Sequence, residues 1–188
     1  MKNLKTIALT LFTLATVAVT AQTKKVDVTK STIKWVGKKV TGQHDGTVKL
    51  QDGALVFKAG KLTGGSFTVD MNSIEVTDLQ AGKGKEKLEG HLKHEDFFGV
   101  DKYPTATLVF KTIAAKKNNV YTVTADLTIK GKTNPVTFDM TVNGNAATTD
   151  FKINRAKYDV KYGSGSFFEN LGDKTIYDDF DVSVNLVW

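Results

Sequence analysis

The sequence predicts an all-β domain built as an antiparallel meander, and three features predict it. Apolar and polar residues alternate with a period of two through most of the chain, short turn signals separate the alternating runs, and only one segment carries convincing helical spacing. At 188 residues the chain has the size of one domain with a substantial core.

The first five residues, Met1-Lys2-Asn3-Leu4-Lys5, are basic. The stretch after them is apolar and ends in the small residues Val19 and Ala21, so residues 1–21 are expected to be a secretory signal peptide cleaved after Ala21. A membrane anchor needs about 20 continuous apolar residues. This run is shorter, dotted with threonine, and followed at once by Gln22-Thr23-Lys24-Lys25. The mature domain is then 22–188, with the periplasm as its expected location and an extracellular one also compatible. The absence of cysteine excludes disulfides, thiol chemistry, cysteine-based metal sites and lipoprotein attachment.

The first strand candidates are 32–40, 46–50, 54–57 and 65–71, followed by 106–113. The clearest is Tyr121, Val123, Ala125, Leu127 and Ile129, apolar against the polar Thr122, Thr124, Asp126 and Thr128, as a strand with one buried face requires. The pattern recurs in Val136, Phe138, Met140 and Val142, in 148–155, and in Phe180, Val182, Val184 and Leu186. Turn signals lie at Gln51-Asp52-Gly53, Ala59-Gly60-Lys61, Lys117-Asn118-Asn119, Lys130-Gly131-Lys132 and Asn143-Gly144-Asn145. Loops this short join antiparallel hairpins, and the meander either closes into a barrel or stacks as a sandwich. Pro104 and Pro135 are placed at strand entrances, where a missing N–H does little harm. The spacing of Leu88, Leu92 and the residues after them predicts a helix over 85–94, and a further helical turn is expected at 166–171.

The formal charge is +6, and of the 26 basic residues only Arg155 is arginine. Nucleic-acid readers favour arginine for bidentate contacts, so no nucleic-acid partner is expected, while a weak peripheral contact with anionic membrane surfaces stays open. His91 and His94, three apart on the helix, make half a metal site. The third histidine, His44 beside Asp45, has no spacing that joins them, so no metal is expected. Asp45, Asp70, Glu75, Glu95 and Asp96 offer carboxylates without a diagnostic pairing. Gly163-Ser164-Gly165-Ser166 lacks the spacing of a nucleophile elbow, and Gly82-Lys83-Gly84-Lys85 that of a phosphate loop. Neither a catalytic residue nor a cofactor is expected.

Strand parity sets Arg155 on the face of Phe151 and Ile153. If that face is interior, the guanidinium pairs with a protein carboxylate or backbone, or with an anionic head group of a ligand. Trp35, Phe57, Phe67, Phe97, Phe98, Phe110, Phe138, Phe151, Phe167 and Phe168 exceed what a small, filled barrel needs, which fits a ligand-filled interior or an unusually aromatic core. Leu55-Val56-Phe57 and Leu108-Val109-Phe110 place apolar groups on both parities.

These residues resemble the YceI-like exported lipid-binding proteins. The likeness runs from Trp35-Val36-Gly37 and His44-Asp45-Gly46 through Phe67-Thr68-Val69-Asp70, the block HLKHEDFFGVDKYPTA at 91–106, and Leu127-Thr128-Ile129-Lys130-Gly131-Lys132-Thr133, to Ile153-Asn154-Arg155. Tyr158, where a Phe-Gly pair is common, and the lysine-rich turn before the helix depart from the pattern. The resemblance implies an eight-stranded antiparallel up-and-down barrel, lipocalin-like, with one or two short helices between strands. It implies no enzyme but a carrier for a polyisoprenoid or other long-chain amphiphilic lipid, with a homodimer open. The candidate ligand contacts are Trp35, His44, Phe67, His91, Phe97, Phe98, Phe110, Phe138, Phe151, Arg155, Phe167 and Phe168. A structural or stress-related envelope protein with an incidental cavity is the alternative, and a hydrolase the third.

Overall fold

A computed structural model describes residues 20–188, so the expected leader, apart from its last two residues, lies outside the described residues. The described chain runs β1 (Ala21–Lys25), β2 (Thr32–Lys39), β3 (Gly42–Lys58), β4 (Lys61–Val76), α1 (Lys85–Lys93), β5 (Thr105–Ala115), β6 (Val120–Ile129), β7 (Lys132–Asn143), β8 (Ala146–Asn154) and β9 (Asp179–Val187). From β2 onward each strand pairs antiparallel with the next, and β9 pairs back onto β2, from Thr32↔Asn185 to Val36↔Asp181. That last pairing closes an eight-stranded up-and-down barrel and decides against a sandwich. β1 is an addition: β2 occupies β3 only over Gly42–Val48, and β1 takes the free edge beyond it, from Lys25↔Ala54 to Ala21↔Lys58.

The hairpins follow from local chemistry. Ala59 and Gly60 (φ 50° and 73°) and Lys130 and Gly131 (φ 51° and 70°) both place two positive φ angles in a two-residue turn, the form whose twist matches the flanking strands. β6 shows the expected alternation, with Val123 and Ala125 fully buried. Its outer threonines pair with those of β7, Thr124 with Thr137 at 3.1 Å and Thr128 with Thr133 at 2.8 Å. Apolar inside and polar outside is the reverse of a membrane-spanning barrel. No helix among the described residues is long and apolar enough to cross a membrane.

Three expectations are corrected. Gln51-Asp52-Gly53 is not a turn: β3 runs through it, and the register slips there, a β-bulge that moves the inward residues from Val48 and Leu50 to Gly53 and Leu55. Gly53 fits because a Cβ there would lie 2.6 Å from the Phe67 ring. At 108–110 the mixed parity resolves simply, with Val109 pointing outward, 45% exposed. Residues 166–171 form no helix; single 3₁₀ turns lie instead at Arg155–Tyr158 and Gly172–Lys174. Asn170 and Gly172 adopt left-handed φ angles (59° and 53°) that no right-handed helix continues through. Pro135 lies inside β7 rather than at its entrance. It is tolerated because β8 pairs β7 only over Thr141–Asn143, so this part of β7 has an open edge.

A second bulge shapes the barrel. Thr47 pairs with Glu75 but Lys49 pairs with Asp70, so Val48 alone faces the stretch from Met71 to Ile74. Ser73 fastens it, its hydroxyl accepting from the Lys49 N–H at 2.7 Å and donating to the Asp70 carbonyl at 2.6 Å. Both Met71 and Ile74 thereby face inward. α1 covers this end of the barrel, with Leu92 buried beneath it and the Glu89 carboxylate accepting the Val76 N–H at 2.9 Å.

Candidate functional site

The interior is divided. The end bearing the β3–β4 hairpin is filled by Leu55, Leu62, Tyr121, Val123 and Ala125. The end beneath α1 encloses an apolar cavity of about 200 Å³, where a single water needs roughly 10–15 Å³. Its walls come from every barrel strand: Trp35 of β2, Phe67 and Met71 of β4, Ala106 of β5, Leu127 of β6, Phe138 and Met140 of β7, Phe151 of β8 and Val182 of β9, among others. Leu92, Phe97 and Phe98 close it from the helical segment.

Trp35 is held rigidly. Its indole N–H donates to the Thr47 carbonyl at 3.2 Å, and its ring lies against Gly46, where a Cβ would fall 2.4 Å from the indole and 1.9 Å from the Glu75 carbonyl oxygen. Only glycine fits there. Phe138 and Phe151 stack across the unpaired part of the β7–β8 seam, ring centroids 4.7 Å apart.

The polar groups in the lining are already committed. The Thr149 hydroxyl donates to the Asp139 carbonyl at 2.8 Å. Arg155 is 3% exposed, and its guanidinium donates to four carbonyls: Nε to Tyr177 (3.2 Å), one terminal nitrogen to Val160 (2.9 Å) and Tyr162 (2.8 Å), the other to Ile176 (3.0 Å). Asp178 lies 3.5 Å away and Phe97 lies beneath the guanidinium at 5.6 Å. Burial pulls this guanidinium below its usual range, and the Asp178 charge opposes that pull. Arg155 therefore holds the loop between β8 and β9.

Of the candidate contacts, Trp35, Phe67, Phe97, Phe98, Phe138, Phe151 and Arg155 come together on the cavity wall. Phe110 sits one layer away, packed on Phe67 and Phe138. The others do not reach the cavity. His44 is bound on the rim, Nδ1 2.8 Å from Asp78, whose carboxyl this contact helps hold below its usual range against the opposing effect of burial. His91 lies edge-on to Phe97 and Tyr162, its Nε2 buried without a partner. Phe167 and Phe168 are 46% and 49% exposed. Among the described residues no three His, Asp or Glu side chains are grouped to hold a metal ion. The candidate carboxylates are dispersed: Asp45 accepts from the Thr77 hydroxyl, Glu75 pairs with Lys85 at 2.8 Å, and Asp70 caps the Asn72 N–H.

Wall residues such as Met71, Leu127, Met140, Val182 and Leu186 carried a signal in their strand parity. Ile176 and Tyr177 carried none, because they lie in an irregular loop.

A closed antiparallel barrel, polar outside and hollow with apolar walls at one end, defines the lipocalin-like class of binding folds. Within that class the chain belongs to the YceI-like family, whose domain model matches residues 25–188. A UPF0312 protein of Pseudomonas putida is 30% identical over 152 residues, covering 74% of this chain and 71% of the relative. A UPF0312 protein of Staphylococcus aureus is 36% identical over 88 residues, 41% of this chain and 48% of the relative. The crystal structure of Burkholderia cenocepacia BcnA superposes with a TM-score of 0.69 at 28% identity, covering 87% of this chain and 99% of that one. A polyisoprenoid-binding domain from Saccharophagus degradans has the same fold, with a TM-score of 0.58 at 15% identity over 89% of this chain and 97% of its own.

Proposed function

We propose that this chain is an exported, non-enzymatic carrier that encloses a polyisoprenoid or similar long-chain amphiphilic lipid in its barrel. One observation carries the reading: the cavity wall is apolar, and its polar side chains, Thr149, Arg155 and the Trp35 indole, already spend their hydrogen bonds within the protein. A wall whose buried polar groups are already paired, with only the half-exposed Tyr177 carrying a hydroxyl besides, suits hydrocarbon and rejects a ligand whose buried part needs partners. Burial of the chain supplies the affinity, at roughly 25 cal/mol per Å² of apolar surface. The polyisoprenoid-binding domain of the same fold supports the choice of ligand class, and the leader-like pattern of residues 1–21 supports export to the periplasm.

The test is extraction followed by rebinding. Protein purified gently from its host is expected to release a lipid visible by mass spectrometry. Delipidated protein is expected to bind farnesol, geranylgeraniol and solanesol with affinity rising with chain length, followed by tryptophan fluorescence in a Trp188→Phe background that leaves Trp35 as the reporter on the cavity wall. No extractable lipid together with no prenol binding would falsify the reading.

A further inference from the structure

Six large apolar side chains stand out as exposed among the described residues, and five of them, Val40, Tyr162, Phe167, Phe168 and Tyr177 at 46–50% exposure, share one rim of the barrel. Backbone hydrogen bonds weld that rim together. The Val40 N–H donates to the Thr175 carbonyl at 3.1 Å, Tyr177 to Lys38 at 2.9 Å, and Ile176 to Gly163 at 2.8 Å. The N–H groups of Phe167 and Phe168 both donate to Ser164, which is fully buried and bridges to Ile176. Arg155 pins the rim from below, since all four carbonyls it binds belong to this loop.

The rim is continuous with the cavity. Tyr177 is half exposed on the outside and lines the cavity on the inside, together with its neighbour Ile176. A patch of this kind marks an interaction site rather than ordinary scatter. Its charges are near balance: residues 155–178 carry four basic side chains, Arg155, Lys157, Lys161 and Lys174, against four acidic ones, Asp159, Glu169, Asp173 and Asp178, and Lys161 is bound to Asp159 at 2.7 Å. Lys161 also lays its stem beside Phe167, with the ammonium 5.2 Å from the ring centroid. Aromatic rings flanked by lysines that reach back to water are the side-chain set that settles at a membrane–water interface.

We propose that this rim docks on a lipid bilayer, inserting Phe167 and Phe168 by apolar contact rather than by charge, so that the cavity mouth faces the hydrocarbon from which its lipid is loaded. The proposal rests on the hydrocarbon-carrier reading above, because an apolar chain passing from membrane to cavity at this rim never has to cross water.

The experiment compares the delipidated protein with the double variant Phe167→Ser, Phe168→Ser, whose fold is checked by thermal melting. Wild type is expected to sediment with uncharged phosphatidylcholine vesicles, with affinity changing less than about twofold between low and high salt. The variant is expected to lose at least about tenfold in vesicle affinity. Transfer of solanesol from those vesicles to the variant should slow by a similar factor, while binding of solanesol added from ethanol stays unchanged. Wild type that does not sediment, or a variant that sediments and loads as well as wild type, overturns the proposal. So does a dimer, seen by analytical ultracentrifugation, that the double variant dissolves, since the rim then belongs to a second copy. If wild type also fails to bind solanesol from ethanol, that failure belongs to the carrier reading, and sedimentation alone decides the rim.

Discussion

Tyr158 carries a phenolic hydroxyl without a hydrogen-bond partner in a side chain that is 1% exposed. Burial pushes its pKa up to about 12 from the usual 10.0. The folded state therefore favours the protonated phenol. Its contribution to stability is fully present below about pH 10, the unfolded value, and is lost as pH rises toward 12. Urea denaturation of wild type and Tyr158→Phe across that window checks this. The variant is expected to be at least as stable at neutral pH, having shed an unpaired buried hydroxyl, and to lose less stability in alkali. Equal alkaline losses in the two proteins would assign the effect to other groups. The same neighbourhood shows what single residues reveal in a sequence. Arg155 was legible as a residue needing partners, because a buried guanidinium cannot stay bare. That its partners are four carbonyls of a loop starting five residues on was not legible, since periodicity says nothing about irregular backbone. Phe67, Phe138 and Phe151 were placed on the wall by strand parity. Phe167 and Phe168, in a loop without parity, were indistinguishable from them by residue type alone.

Between elements, the weak junction is the β7–β8 seam. Only Thr141–Asn143 pair with Ala146–Thr148, and the barrel is closed beyond them by side chains. The Thr149 hydroxyl reaches the Asp139 carbonyl, Phe138 stacks on Phe151, and the Asn134 amide donates to the Lys157 carbonyl at 2.9 Å. Replacing Thr149 by Val keeps the shape but leaves the Asp139 carbonyl without that donor, at a cost of about 1–3 kcal/mol. Amides of β7 and β8 next to the seam are expected to exchange faster in the variant, while those of the β5–β6 ladder, paired from Thr107 to Ala115 around one bulge, hold their rates. Uniform acceleration would mean global destabilisation and no special seam. β6 was readable because no bulge interrupts its ten residues. β3 was split in two because Gln51-Asp52-Gly53 has the composition of a turn, and bulges and turns recruit the same residues. Only pairing with β4, distant in sequence, decides between them.

At the scale of the molecule the barrel is solid at one end and hollow at the other. Empty apolar volume forfeits packing contacts, so the unliganded protein gives up several kcal/mol that a filled interior would retain. A ligand that binds only the folded state restores stability as RT ln(1 + [L]/Kd), about 2.7 kcal/mol at a hundredfold excess over Kd. For a domain of this size each kcal/mol raises Tm by roughly 2–4 °C, so saturating solanesol is expected to raise Tm by several degrees. Ala106, on the cavity wall and 6% exposed, gives the decisive comparison. A Phe at this position projects into space already present, so Ala106→Phe without ligand should melt at or above the wild-type temperature while losing most of the lipid-induced rise. At Ala125, fully buried in the filled end, the same substitution has no space to enter and should destabilise the fold by about 1–3 kcal/mol. If Ala106→Phe destabilises as much as Ala125→Phe and wild type shows no lipid-induced rise, the hollow end is ordinary core and the carrier reading fails with it.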